Sequence, residues 1–149
     1  MDGLSAAASG IAVVSLAIQL VDSVRDIQRF LHRVSDAPKE LKRLLDLLEQ
    51  LELILESIGM IIERQNTHEP DHDAAVSASV LRALKTCENK LLMLEDVVEV
   101  AKKASGGGRV ARSFGAFRLA CKTRDVEEFE GQLQHAINIL NLTMTVNLT

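Results

Sequence analysis

The apolar residues of this chain recur every three or four positions through four long segments, a spacing typical of helices that pack into a shared core. The segments cover residues 4–34, 38–65, 73–104 and about 123–144. No segment keeps the alternating apolar and polar pattern of a strand. The pattern therefore predicts an all-α fold, an antiparallel bundle of four long helices plus a short amphipathic helix at residues 109–122.

Three of these segments carry a well-defined apolar stripe, which we predict to form the core. In the second segment the stripe is Leu41, Leu44, Leu48, Leu51, Leu55, Ile58 and Ile62. In the third it is Val80, Leu84, Cys87, Leu91, Leu94 and Val98, and in the fourth it is Val126, Phe129, Leu133, Ile137, Leu140 and Met144. With 149 residues we expect a single domain over residues 1–149, large enough to bury this core without a metal or a disulfide.

Composition and spacing narrow the classes of function. The chain is 47% hydrophobic, too apolar for a disordered protein, and its net charge of −4 with no Trp or Tyr argues against nucleic-acid binding. Cys87 and Cys121 form no ligand-like cluster and indicate a reducing compartment. His68 and His72 have a metal-like spacing, but Pro70 interrupts it. No catalytic constellation is recognisable, so we expect no enzyme activity, no cofactor and no metal site.

The beginning of the first segment has no charged residue from position 3 to position 21. As a helix it would be about 28 Å long, close to the thickness of a bilayer's hydrocarbon core. Two interpretations stay open: a helix buried in a soluble bundle, or one that enters a membrane in another state. A charge at Ile11 or Val14 would be unfavourable under either interpretation, because it would destabilise the fold or oppose insertion into the membrane. The membrane interpretation assigns the inserting positions to Leu4, Ile11, Val14, Leu16, Ile18 and Val21.

Positive charge is concentrated in residues 102–124, here called the basic segment. It holds no acidic residue and seven basic ones: Lys102, Lys103, Arg109, Arg112, Arg118, Lys122 and Arg124. A helical wheel places Val110, Phe114 and Phe117 on one apolar face, and Arg25, Arg29 and Arg33 form a second basic stripe. Such a segment is typical of an interfacial anchor that binds anionic headgroups. The alternative is a solvated connector whose Phe side chains cap the bundle.

Three stretches resemble a known family. Residues 1–14, residues 34–41 and residues 126–142 are similar to the start, the first interhelical turn and the last helix of the HeLo-like domains at the N-terminus of fungal NLR-type (STAND) proteins. The resemblance covers essentially the whole chain, and its opening is the most specific part. One departure lies at residues 117–120, where relatives commonly carry a Trp and this chain has none.

The resemblance implies a membrane-targeting cell-death effector domain of fungal self/non-self recognition, heterokaryon incompatibility or innate immunity. Its N-terminal hydrophobic helix would act on the plasma membrane after oligomerisation. The implied partners are an NLR-type receptor, in cis or in trans, further copies of the chain and anionic lipid. The protein would be cytoplasmic and move to the plasma membrane on activation. The alternative is a homotypic interaction module that never inserts into lipid.

Overall fold

The computed structural model describes residues 2–33, 39–68, 74–104 and 123–147. Over these residues the chain forms four long α-helices and no strand: α1 at Asp2–His32, α2 at Lys39–His68, α3 at Ala74–Ala104 and α4 at Thr123–Asn147. The all-α prediction is confirmed, and each predicted helix end lies within a few residues of the observed one. The short helix predicted at residues 109–122 lies outside the described residues.

The helices are arranged as a four-cornered bundle. α1 packs against α2 and α3, and α4 packs against the same two helices, so α1 and α4 lie on a diagonal. Arg25 contacts Glu52 and Glu56, whereas Ala17, earlier in α1, lies next to Gly59, later in α2. Residues further along α1 therefore contact residues earlier in α2. These two neighbouring helices are therefore antiparallel.

The direction of α3 follows from the short connection before it. Six residue steps separate His68 from Ala74, and they span at most about 20 Å. A helix as long as α2 measures about 45 Å. Because the connection cannot run back along α2, α3 starts at the end of the bundle where α2 finishes and runs antiparallel to it.

The predicted stripes of the second, third and fourth helices form the core. All seven stripe residues of α2 and all six of α3 are buried. In α4 the stripe is buried from Val126 to Leu140, and Met144 is partly buried against the core. Apolar burial of this kind is the main stabilising contribution in a bundle.

α1 contributes to the core with one of its faces. Its buried residues are Val13, Ala17, Leu20, Val21, Val24, Ile27, Phe30 and Leu31. The opposite side of the helix is exposed to solvent, and it is there that the candidate site begins.

Candidate functional site

The exposed side of α1 changes character along its length. We call this side the outer face of α1, defined by Ile11, Ile18, Arg25, Arg29 and Arg33, which are all exposed. Spacings of seven and four residues bring these side chains to one side of a helix. The outer face is therefore apolar in its first half and basic in its second, with Asp22 and Asp26 beside the arginines.

The structure separates the six predicted membrane-inserting residues. Ile11 is 68% exposed and Ile18 is 58% exposed. Val14 and Leu16 are partly buried against the core, Val21 is buried, and the side chain of Leu4 is outside the described set. The expectation that a charge at Ile11 is costly to the fold is therefore wrong, because that side chain already faces solvent.

Within the described ranges, none of the four helices combines the length and the apolar character needed to span a bilayer.

An open groove runs between α1 and α2, and we call it the α1–α2 groove. It has a volume of about 310 Å³, and its apolar lining includes Val14, Ile18, Val21, Leu55, Gly59 and Met60. Met60 is 54% exposed at its edge. The two helices approach closely at Gly59, where an added Cβ would lie 3.7 Å from the Cβ of Ala17. The groove is thus an apolar surface that stays open to solvent beside a tight helix contact.

Charged side chains surround this groove. Arg25 lies at one end, where its Nε donates to Glu52 Oε1 at 2.6 Å and its Nη2 donates to Glu56 Oε1 at 2.7 Å. The bond to Glu52, helped by the charges of both carboxylates, raises the pKa of the Arg25 guanidinium. Asp22 and Glu63 also line the groove. Its rim therefore holds three carboxylates, those of Asp22, Glu56 and Glu63, against one guanidinium.

The predicted headgroup-binding residues have different surroundings. Arg25 is held by its two carboxylates, and Arg29 Nη1 donates to Asp26 Oδ1 at 3.1 Å. Arg33 is exposed at the end of α1, and Lys102 and Lys103 are exposed in the last turn of α3. The side chains of the remaining predicted residues lie outside the described set: Arg109, Arg112, Arg118, Lys122 and Arg124, together with Val110, Phe114 and Phe117.

The fold brings several of these basic residues to one end of the bundle. α1 and α3 both finish where α2 starts, because each runs antiparallel to α2. We call this region the basic end, defined by Arg29, Arg33, Lys39, Lys42, Arg43, Lys102 and Lys103. Lys39, Lys42 and Arg43 were not among the residues predicted from the sequence to bind headgroups. The short connection at residues 34–38 was the signal that could have placed them beside the end of α1.

One carboxylate lies at the contact between α1 and α3. Glu95 is partly buried there, and the Ser23 hydroxyl of α1 donates a hydrogen bond to it. Loss of solvation raises the pKa of Glu95, the Ser23 hydrogen bond opposes that change, and the neighbouring charges of Asp96 and Glu88 add to it. The contact between α1 and α3 thus disfavours the charged form of Glu95.

The candidate reactive groups are the Cys87 thiol, which is buried, and the side chains that could bind a metal ion. Burial, with a smaller effect of Glu88, raises the pKa of the Cys87 thiol to about 12, so this thiol is not nucleophilic near neutral pH. In the described part of the chain, no group of three or more His, Cys, Asp or Glu side chains could hold a metal ion. His72 and Cys121 lie outside that part.

Comparison with protein-family models gives a match over most of the chain. Residues 7–140 match the SesA family, described as an N-terminal domain on NACHT NTPases and P-loop NTPases. No curated protein matches the chain significantly, and no solved structure does. The family match covers most of the chain and confirms the resemblance to the HeLo-like N-terminal domains of fungal NLR-type proteins.

Proposed function

Because the chain belongs to the SesA family of N-terminal domains on NACHT and P-loop NTPases, we propose that it is the membrane-acting effector domain of an NLR-type receptor. In this proposal it is a non-enzymatic domain that waits in the cytoplasm. Oligomerisation of the receptor brings several copies of α1 together at the plasma membrane, and their action on the bilayer kills the cell.

The observation that carries the proposal is the outer face of α1. Ile11 and Ile18 lie two turns apart on that face, and the partly buried Val14 lies between them. The three side chains make a continuous apolar strip on a stretch without any charge. A contiguous exposed apolar strip typically marks a surface that meets a partner or a membrane.

The charges on the outer face of α1 support an orientation in which this face meets the membrane. Arg25, Arg29 and Arg33 continue the outer face beyond the apolar strip. A helix that lies along an anionic surface would therefore bring isoleucines to the acyl boundary and arginines to the headgroups. Arg29 and Arg33 belong to the basic end, where each positive charge contributes about 1 kcal/mol close to an anionic leaflet.

Leakage of a dye from vesicles that contain phosphatidylserine tests the proposal. The intact chain, oligomerised through an inducible dimerisation tag, should release the dye. Ile11→Glu should reduce the release at least about tenfold, because a carboxylate is costly below the headgroups. The matched control is Leu142→Glu, which changes the net charge equally at an apolar residue of α4 that is 65% exposed.

Both variants should fold like the wild-type chain, because neither position is buried. The proposal is wrong if Leu142→Glu loses as much leakage as Ile11→Glu. It is equally wrong if the oligomerised wild-type chain never releases dye.

A homotypic interaction module is the second candidate, and the α1–α2 groove favours it. An apolar groove with an exposed edge is a common recognition site for a helix of another protein. Self-association in solution without any leakage would support this function over the first.

A further inference from the structure

The α1–α2 groove carries an inference beyond the proposed function, since it concerns an assembly that forms without lipid. We propose that the groove binds residues 109–122 of a second copy of this chain. The argument rests on charge, on length and on the position of the groove in the bundle.

Charge selects the kind of segment that the groove accepts. Its rim holds Asp22, Glu56 and Glu63 against Arg25, and Arg25 already bonds to Glu52 and Glu56. A basic amphipathic segment complements such a rim, whereas an acidic one is repelled. Residues 109–122 carry four basic residues and no acid, so their charge is of the required sign.

The apolar surfaces also correspond in length. Along α1 the groove runs from Val14 to Arg25, which is twelve residues, or about 16 Å at the helical rise. The sequence pattern of the basic segment predicts an apolar face from Val110 to Cys121, which includes Phe114 and Phe117 and covers the same number of residues. Helices typically recognise grooves through such regularly spaced anchors.

The position of the groove favours a second copy over the same chain. Among the described residues, only those of α1 and α2 line the groove. The basic segment connects α3 to α4, which form the opposite side of the bundle. A segment of the same chain would have to cross the end of the bundle to reach this groove, whereas a neighbouring molecule meets it directly.

A contact of this kind joins two different surfaces of identical chains. Each copy offers one groove and one basic segment, so the contact is heterologous and can continue into a ring or an open array. Such a contact would assemble the oligomers on which the proposed function depends, although the contact itself requires no membrane.

Sedimentation velocity without lipid tests the proposal. Met60→Lys places a positive charge in the groove wall and should weaken self-association at least about tenfold. The matched control is Leu53→Lys, on the same face of α2 two turns away and 60% exposed, which does not line the groove. It should associate like the wild-type chain.

Mixing two defective copies makes the test specific. Met60→Lys keeps its basic segment, and a triple variant with Arg112→Glu, Arg118→Glu and Lys122→Glu keeps its groove. Each should be monomeric alone, and together they should form a one-to-one complex. A contact between two like surfaces would give no such rescue.

Three results overturn the proposal: a wild-type chain that stays monomeric, a Met60→Lys variant that associates like Leu53→Lys, or defective copies that fail to pair. None of these results bears on dye leakage, so the proposed function and this inference fail separately.

Discussion

At the scale of single residues, exposure decides what an apolar side chain does in this bundle. Leu51 is fully buried in the core, whereas Leu53, two positions further along α2, faces solvent. Ile11 and Val13 of α1 differ in the same way. The functional candidates are therefore the apolar side chains that lie outside the core, and they can be changed without loss of the fold.

Glu95 gives a prediction at this scale, because its pKa is raised in the folded chain. The folded state then holds a proton where the unfolded chain has lost it, so the free energy of unfolding falls as pH rises through this range. Glu95→Gln removes the charge and can keep the contact with Ser23. We expect it to raise Tm at pH 7, with a gain in the free energy of unfolding of less than about 1 kcal/mol, since the site is partly solvated.

The pH dependence of that gain is the decisive measurement. It should shrink as pH falls below about 4, where the wild-type carboxyl is protonated in both states. Glu99→Gln, an exposed position one turn along α3, is the matched control for the loss of a carboxylate. A gain that is equal at both positions, or independent of pH, would contradict the assigned cause.

At the scale of helices, α1 and α2 approach closely at Gly59, where there is room for a methyl group. An added Cβ at Gly59 would make an ordinary contact with Ala17, and one at Gly131 of α4 would meet nothing within 4 Å. Alanine is favoured over glycine in a helix interior by about 0.5–1 kcal/mol. We therefore expect Gly59→Ala and Gly131→Ala each to raise Tm in thermal unfolding followed by circular dichroism.

Leucine at the same two positions separates the helix contact from the propensity effect. Gly59→Leu should lower Tm, because the longer side chain must push α1 away from α2, whereas Gly131→Leu should not. Equal stability of these two variants would show that the helices are not closely packed at Gly59.

The sequence predicted the helices well and the candidate site only in part, for a physical reason. The spacing of apolar residues is a local property, so the stripe from Leu41 to Ile62 could be assigned to the core without knowledge of its neighbours. The α1–α2 groove depends on which helices are adjacent and on their register. Periodicity does not encode these, so neither the pairing of Arg25 with Glu52 nor the place of Met60 could be predicted.

The outer face of α1 could be predicted in part, unlike the core stripes, which were predicted well, and the α1–α2 groove, which was not. Its uncharged stretch was recognisable in the sequence, but the sequence could not decide whether the helix was buried or lipid-facing. The structure shows a helix with one face in the core, at Val13 and Leu20, and one face in solvent, at Ile11 and Ile18. A stretch without charge does not distinguish the two faces of a helix, and these faces have different surroundings here.

At the scale of the whole molecule, the short connections between helices bring basic residues of α1, α2 and α3 together at the basic end, although the chain is net acidic. Lys39 and Lys42 lie in the first turn of α2, where the helix dipole disfavours positive charge. Two lysines there lower the stability of the helix and raise the positive potential of one surface. This arrangement is expected if that surface binds anionic lipid.

Reversal of these two charges tests whether the position of charge matters more than its amount. Lys39→Glu with Lys42→Glu should weaken binding to phosphatidylserine vesicles, measured by sedimentation at about 0.1 M salt, at least about thirtyfold, from about 1 kcal/mol for the loss of each lysine. The fold should be unharmed, because carboxylates suit the start of a helix. The difference from the wild-type chain should shrink towards 1 M salt, where the Debye length is about 3 Å.

The matched control is Arg82→Glu with Lys85→Glu, which has the same spacing, exposure and change in net charge. These residues lie in the first half of α3, about 30 Å along the helix from Ala104 and the basic end. If the end of the bundle is the lipid-binding surface, this control should lose much less binding, since about 30 Å is several times the Debye length of about 10 Å at 0.1 M salt. Equal loss in both double variants would mean that net charge alone governs the attraction, and the basic end would then have no special part in membrane binding.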